Sequence, residues 1–273
     1  MTPHPDEDLA FREHYAQGAE VARLSRGVGL LEFERTKELV LRHLPSPPAT
    51  VADIGGGPGT YALWLTSLGY RVEHRDIVEM HVDQLRTRVE SGARVSTAVG
   101  DARQLDLADE SVDAALLLGP LYQLTEHQDR LQSLTELRRV LCPGGFAFVA
   151  AISRWSPRLN GIVGAKIYET LPHALDEINE VERTGTLRPL FPGSFAGFVH
   201  RPQELHAEVE AGGFDVLGVV AIEGPAALLG DLDERMRDAR HREVLLNSLR
   251  ALESVPEVVG ATPHLLAIAR RPT

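Results

Sequence analysis

The sequence predicts an α/β fold built on a mostly parallel sheet, and three observations carry that prediction. Short apolar runs alternate with helix-period segments from about residue 50 onward, which is the pattern of strands joined by crossover helices. A glycine-rich turn follows the first run directly and opens a helix, the context that gives such a turn meaning. The chain has 273 residues of which 43% are hydrophobic, enough for one large domain with a smaller addition.

Residues up to about Leu44 read as helices that precede the sheet. Leu30, Leu31, Phe33, Leu39, Val40 and Leu44 supply an apolar stripe, with Glu34, Arg35, Lys37 and Glu38 expected outside it. Pro45, Pro47 and Pro48 end this region because proline cannot continue a helix. Val51, Ala52 and Ile54 then form the first buried strand, and Asp53-x-Gly55-x-Gly57-x-Gly59 follows it. Glycine lets a chain turn tightly and lets a ligand approach the backbone. An acid beneath that turn repels a diphosphate and suits a positively charged ligand. Tyr61, Leu63, Trp64, Leu65 and Leu68 carry the next helix.

Residues 70–76 read as a second strand of low apolar content ending in Asp76, and residues 94–99 as a third ending in Gly100-Asp101-Ala102. Residues 111–118 form a strongly apolar fourth strand that exits through Gly119-Pro120-Leu121-Tyr122. A helix over about 126–141 stops at Cys142-Pro143-Gly144-Gly145, where glycine closes the helix and proline forbids its continuation. Strand five covers 146–152. Residues 154–201 leave the repeating pattern and are expected to form an insertion. A helix opening at Pro202, a strand over 214–222, one long charged helix over 232–252 and a last strand over 264–270 complete the count of seven strands.

Composition excludes several classes. Net charge is −11, and the arginines are interleaved with acids, so no basic face for nucleic acid is expected. No apolar run has the length of a membrane span. The first residues are acidic and lack an apolar core, so they do not read as a secretion signal. Cys142 is the single cysteine, which rules out a disulfide within the chain and makes a cytoplasmic location the expectation. The histidines show no metal-ligand spacing, so no metal is expected. Self-association is compatible with this composition.

The Asp53-to-Gly59 turn, Asp76, Gly100-Asp101, the Gly119-Pro120-Leu121-Tyr122 exit and Leu141-x-Pro143-Gly144-Gly145 together resemble the motifs of class I S-adenosylmethionine-dependent methyltransferases, in particular bacterial small-molecule and natural-product enzymes. The resemblance implies a Rossmann-like seven-stranded methyltransferase sheet with helices on both faces, its last strand antiparallel between strands five and six. It further implies a helical lid over residues 1–47, a methyltransferase domain over 48–273 and a substrate cap in the 154–201 insertion. S-adenosylmethionine would be the cofactor and S-adenosylhomocysteine its product. Tyr15 and Arg23 would cover the methionine end, held by Asp53, Gly55, Gly57 and Gly59. Asp76 would accept from the ribose hydroxyls beside Ile77, and Asp101 and Ala102 would meet the adenine. Leu118 and Tyr122 would line the site at the fourth-strand exit.

The reaction so implied is O- or C-methylation of a small, largely apolar molecule. Tyr61, Tyr168, Phe195 and Phe198 are the candidate acceptor wall, since aromatic residues concentrate in the insertion. A base is needed for a hydroxyl or carbon acceptor; Glu169 is the first candidate, then His173 and His200, with Glu223 behind them. An NAD(P)-dependent oxidoreductase and a binding protein of the same fold without catalysis are the other readings. The glycine spacing differs from the dinucleotide Gly-x-Gly-x-x-Gly and opposes the first.

Overall fold

The computed structural model describes residues 20–90, 92–189 and 196–273. Helix α1 (Gly27–Leu41) leads into β1 (Thr50–Ile54), α2 (Thr60–Ser67), β2 (Arg71–Asp76), α3 (Glu79–Arg88), β3 (Val95–Val99) and β4 (Val112–Leu117). After these come α4 (His127–Val140), β5 (Leu141–Ser153), α5 (Ala174–Thr184), β6 (Thr186–Leu187) and β7 (Gly197–His200). The chain closes with α6 (Pro202–Ala211), β8 (Asp215–Ala221), α7 (Leu232–Arg237), α8 (Ala239–Leu252) and β9 (His264–Arg270).

The sheet runs β3-β2-β1-β4-β5, all parallel, and β9 lies antiparallel between β5 and β8. This is the strand arrangement the motifs imply. Period-two alternation divides its core. Ala52, Ile54, Ala115, Leu117, Ala147 and Val149 face α4 and α6, while Val51, Val72, Ala114, Leu116 and Phe148 face α1, α2 and α3. With helices on both faces, the central strands are buried on both sides and read as continuous apolar runs.

Strand β2 agrees with the sequence reading, and three other features differ from it. Strand β2 forms despite its polar content because its buried polar groups are paired: His74 Nδ1 lies 2.8 Å from Thr97 Oγ1, and Arg75 Nε donates to Asp106 at 2.5 Å. The region over 232–252 is two helices, broken at Asp238, whose carboxylate accepts from the His241 N–H and starts the second. The insertion contributes β6 and β7, the latter parallel to the end of β5 at Ile152 and Ser153. Arg35 is fully buried in the stripe of Leu31 and Leu39 rather than outside it. It donates to Glu253, to Glu38 at 2.7 Å and to Ile222 O, so an ion-pair network fastens α1 to the C-terminal helix.

Candidate cofactor and acceptor cavity

The carboxyl ends of β1, β2, β3 and β4 open into one cavity of about 610 Å³. The strand order reverses between β1 and β4, and crevices at such reversals bind ligands because two loops diverge there. The volume falls in the range of small-molecule sites.

The glycine turn forms one wall. Gly55 (φ +65°) and Gly57 (φ +57°) both adopt the left-handed region that side chains disfavour. A Cβ at Gly55 would collide with the Pro120 ring, whereas a Cβ at Gly57 would meet nothing within 4 Å. Gly57 therefore keeps the cavity wall bare. His74 Nε2 lies 3.0 Å from Gly57 O, and Asp76 Oδ2 accepts from Gly57 N at 2.7 Å, so both sides of the turn are fixed. Gly59 lies outside the lining: it caps α2 at φ 80°, and its missing side chain makes room for Leu85. Its role in holding the cofactor is corrected to one in packing.

Asp53 sits beneath the turn, 1% exposed, and its Oδ2 has no hydrogen-bond partner among the described residues. Burial and then repulsion from Asp76 push its carboxyl up to about 7. Asp76 accepts from Val78 N at 2.8 Å and faces His81 Nδ1 at 3.1 Å through Oδ1, so it caps the following turn as well as lining the cavity. Asp101 is gripped by Arg103, which donates from Nε and from a terminal nitrogen at 2.7 Å and also reaches Asp129. Burial would raise the Asp101 carboxyl, but these bonds outweigh it and hold it below its ordinary value.

Arg23, Tyr61, Ile77, Ala102, Leu118 and Tyr122 also line the cavity. Tyr15 and Phe195 lie outside the described residues. The other proposed residues are placed elsewhere. Glu169 and His173 are exposed and do not line the cavity, so nothing desolvates Glu169 as a base in it would require. Tyr168 is 40% exposed. Phe198 packs under Arg130, with the guanidinium 3.8 Å from the ring centre, and against His200. His200 is buried with its Nε2 2.6 Å from Glu208 Oε2, which makes it a core group. The described part of the insertion contributes no lining residue.

A second polar cluster borders the cavity, and of its members the sequence reading named Glu223 alone, as its last candidate base. Glu32 on α1 lines it, bound by Arg23 at 2.5 and 3.0 Å. His264 Nδ1, at the start of β9, is 2.6 Å from Glu223 Oε1 and 3.8 Å from Glu32 Oε2. Glu223 is wholly buried and also accepts from Thr262 Oγ1 at 2.9 Å and His264 N at 3.0 Å. Burial lowers the imidazole, but the charges of Glu223 and Glu32 outweigh it and carry His264 up to about 9. The three groups lie within 4.8 Å of one another, a span a cation bridges, but Arg23, Thr262 and the ring proton already satisfy their oxygens. The three residues are remote in sequence, so no local spacing reveals them.

These features fit S-adenosylmethionine. A buried carboxylate with one oxygen left without a partner suits a cation, the bare wall at Gly57 suits close backbone contact, and the second acid at Asp76 suits hydroxyl donors. Asp76→Ala is expected to weaken binding by about 1.5–3 kcal/mol, the range for hydrogen bonds to a charged acceptor. Titration calorimetry checks this; unchanged affinity with a lowered melting temperature would leave Asp76 as a cap alone.

Comparison with known proteins finds similarity over the segment that carries these motifs. A methyltransferase-domain family model matches residues 51–145. A malonyl-[acyl-carrier protein] O-methyltransferase of Methylococcus capsulatus is 37% identical over 123 residues, 44% of this chain and 44% of that protein. A ubiquinone/menaquinone biosynthesis C-methyltransferase of Acidiphilium cryptum is 38% identical over 122 residues, 43% of this chain and 48% of that protein. The chain thus spans less than half the length of these curated relatives. Among solved structures, a Methanosarcina mazei S-adenosylmethionine-dependent methyltransferase superposes with TM-score 0.58 at 19% identity, covering 86% of this chain and 97% of that one. The Burkholderia thailandensis 1,6-didemethyltoxoflavin N1-methyltransferase, solved with bound 1,6-didemethyltoxoflavin and S-adenosylhomocysteine, gives TM-score 0.60 at 15% identity over 100% of this chain and 92% of that one. At these identities the structures share the fold.

Proposed function

We propose, for a chain that carries a class I S-adenosylmethionine-dependent methyltransferase domain over residues 51–145, that the whole protein methylates a small, largely apolar acceptor at oxygen or carbon. The observation that carries this reading is the buried Asp53 carboxylate, one oxygen of which has no hydrogen-bond partner among the described residues, beneath a glycine turn that leaves the cavity wall open. When bound, S-adenosylmethionine would supply an electrophilic methyl group on a sulfonium. The protein's part is then alignment, which removes much of the barrier by holding the reacting atoms together.

In this reading Asp53 faces the cationic amino-acid end, Asp76 accepts from the ribose, and Asp101 with Ala102 meets the adenine edge. Arg23 holds the carboxylate end, and Tyr61 and Tyr122 enclose the acceptor beside it. Leu24, Leu118 and Leu124 give that space an apolar wall, which supports an apolar acceptor. The lid read over residues 1–47 includes α1, which Arg35 fastens to the C-terminal helix; the cap read over residues 154–201 finds no lining residue among its described part. The curated relatives are named for O- and C-methylation. They share with this chain the segment that holds the cofactor, so their acceptors are not carried over. Among the described residues no helix is long and apolar enough to cross a membrane.

Calorimetry with S-adenosylmethionine and with NADPH, each over a pH series, tests the reading. S-adenosylmethionine binds and NADPH does not. Asp53 is neutral in the free protein below about 7 and must lose its proton to meet a cation, so affinity rises with pH by about ten-fold per unit up to about 7 and then levels. A pH-flat affinity would remove Asp53 from the site, and binding of NADPH alone would favour the oxidoreductase.

A further inference from the structure

We propose that His81 is a specificity-determining residue: it fills one oxygen of Asp76, so that Asp76 takes a single hydroxyl of the cofactor ribose rather than both. The inference rests on the methyltransferase reading and deepens it at the ribose position.

His81 follows Asp76 by five residues and stands on the first turn of α3. Side chains on a helix lean toward its N-terminus, and here that direction leads back to the end of β2. The residue is 3% exposed and lines the cavity. Its Nδ1 lies 3.1 Å from Asp76 Oδ1. An ionised carboxylate accepts and does not donate, so Nδ1 carries the proton of this bond.

The free acceptor sites of Asp76 can then be counted. An ionised carboxylate has about four lone-pair sites, about two on each oxygen. Oδ1 accepts from Val78 N at 2.8 Å and from His81 Nδ1, which fills it. Oδ2 accepts from Gly57 N at 2.7 Å and keeps one site for a ligand. Two of these donors are backbone groups, set by the glycine turn and by the start of α3. Among the described residues His81 supplies the one side-chain donor, so it decides whether Asp76 offers the cavity one site or two. A ribose presents two adjacent hydroxyls. The one that meets Oδ2 gains a bond to a charged acceptor, and the other gains nothing from Asp76.

Calorimetry with S-adenosylhomocysteine and its 2′-deoxy and 3′-deoxy analogues tests this on the wild type, Asp76→Ala, His81→Leu and His81→Asn. In the wild type one analogue should bind about 10- to 100-fold more weakly than S-adenosylhomocysteine, the worth of one hydrogen bond to a charged group, and that loss should vanish in Asp76→Ala. The other analogue should keep the same ratio to S-adenosylhomocysteine in both proteins. His81→Leu opens Oδ1, so this second analogue should there lose about three-fold or more beyond its wild-type ratio. His81→Asn keeps an N–H where Nδ1 stood and should retain the wild-type pattern. Coupling of both hydroxyls to Asp76 in the wild type, coupling of neither, a His81→Leu pattern equal to that of the wild type, or a His81→Asn pattern equal to that of His81→Leu would each overturn the proposal. Should a variant fail to fold, nitrogen-15 NMR of the wild-type ring decides: Nδ1 should carry a proton in the free protein and keep it with S-adenosylhomocysteine bound, and a bare Nδ1 in either state would overturn the proposal. Failure of the wild type to bind S-adenosylhomocysteine would instead overturn the methyltransferase reading.

Discussion

Gly57→Val is expected to abolish S-adenosylmethionine binding, a loss on the order of 100-fold or more, while the sheet remains folded. The two effects separate because of where a side chain would go. At Gly57 an added Cβ points into open cavity and touches no protein atom within 4 Å. The substitution therefore costs the fold chiefly the strain of a β-branched residue at φ +57°, about 1–2 kcal/mol. The ligand bears the rest, since the branched side chain fills the wall it must approach. The neighbouring glycines give no such separation. A Cβ at Gly55 would strike Pro120, and one at Gly56 would strike Asp53 and His74, so variants there lose the turn itself. Calorimetry and circular dichroism on Gly57→Val, with Gly57→Ala as the smaller step, check the expectation. A folded Gly57→Val protein with wild-type affinity would place the cofactor elsewhere.

The glycine-turn side of the candidate cavity was legible in the sequence because its lining is local. Each strand end carries its own signal within a few residues: Asp53 to Gly57 after β1, Asp76 and Ile77 after β2, Asp101 and Ala102 after β3, Leu118 to Tyr122 after β4. Parallel strands bring those ends to one edge, so reading each turn in order assembles the wall. The side bordered by Glu32 has no such property. Glu32, Glu223 and His264 come from α1, the segment after β8 and the start of β9, and only the docking of α1 against the last strands unites them. Arg35 shows the same limit. Its charge reads as a solvated helix face, yet Glu253 and Ile222 O, both supplied from the far end of the chain, let it be buried. The aromatic residues of the insertion mislead for the converse reason: Phe198 is used as a packing surface for Arg130, and Tyr168 faces outward.

Glu208→Gln is expected to destabilise the protein by about 3–5 kcal/mol at neutral pH, the cost of leaving a buried charge without its partner. Glu208 is 6% exposed and sits among three cationic or potentially cationic groups. Its Oε1 meets His127 Nδ1 at 2.8 Å and Arg130 Nε at 2.9 Å, and its Oε2 meets His200 Nε2 at 2.6 Å. Burial alone would raise its carboxyl, but His200 and Arg130 outweigh burial and hold it at about 2. A carboxyl lowered on folding lends stability above its ordinary value of 4.5, and that stability is lost as the pH falls from there toward about 2. The gap between wild type and variant should therefore be full at pH 7 and shrink below about pH 4 as Glu208 in the wild type takes up a proton. At about 2–4 °C per kcal/mol for a protein of this size class, the melting temperature should drop by roughly 6–20 °C at pH 7. The loss should also reach the cavity. Arg130, once unpaired, is the donor to Leu124 O at 2.9 Å and Thr125 O at 2.7 Å, and both residues line it. Thermal melts at neutral and acid pH, with cofactor titration of the folded fraction, measure both effects. Equal melting temperatures at pH 7 would show that the α4, α6 and β7 junction does not depend on this carboxylate, and an unchanged affinity would separate that junction from the cavity loop.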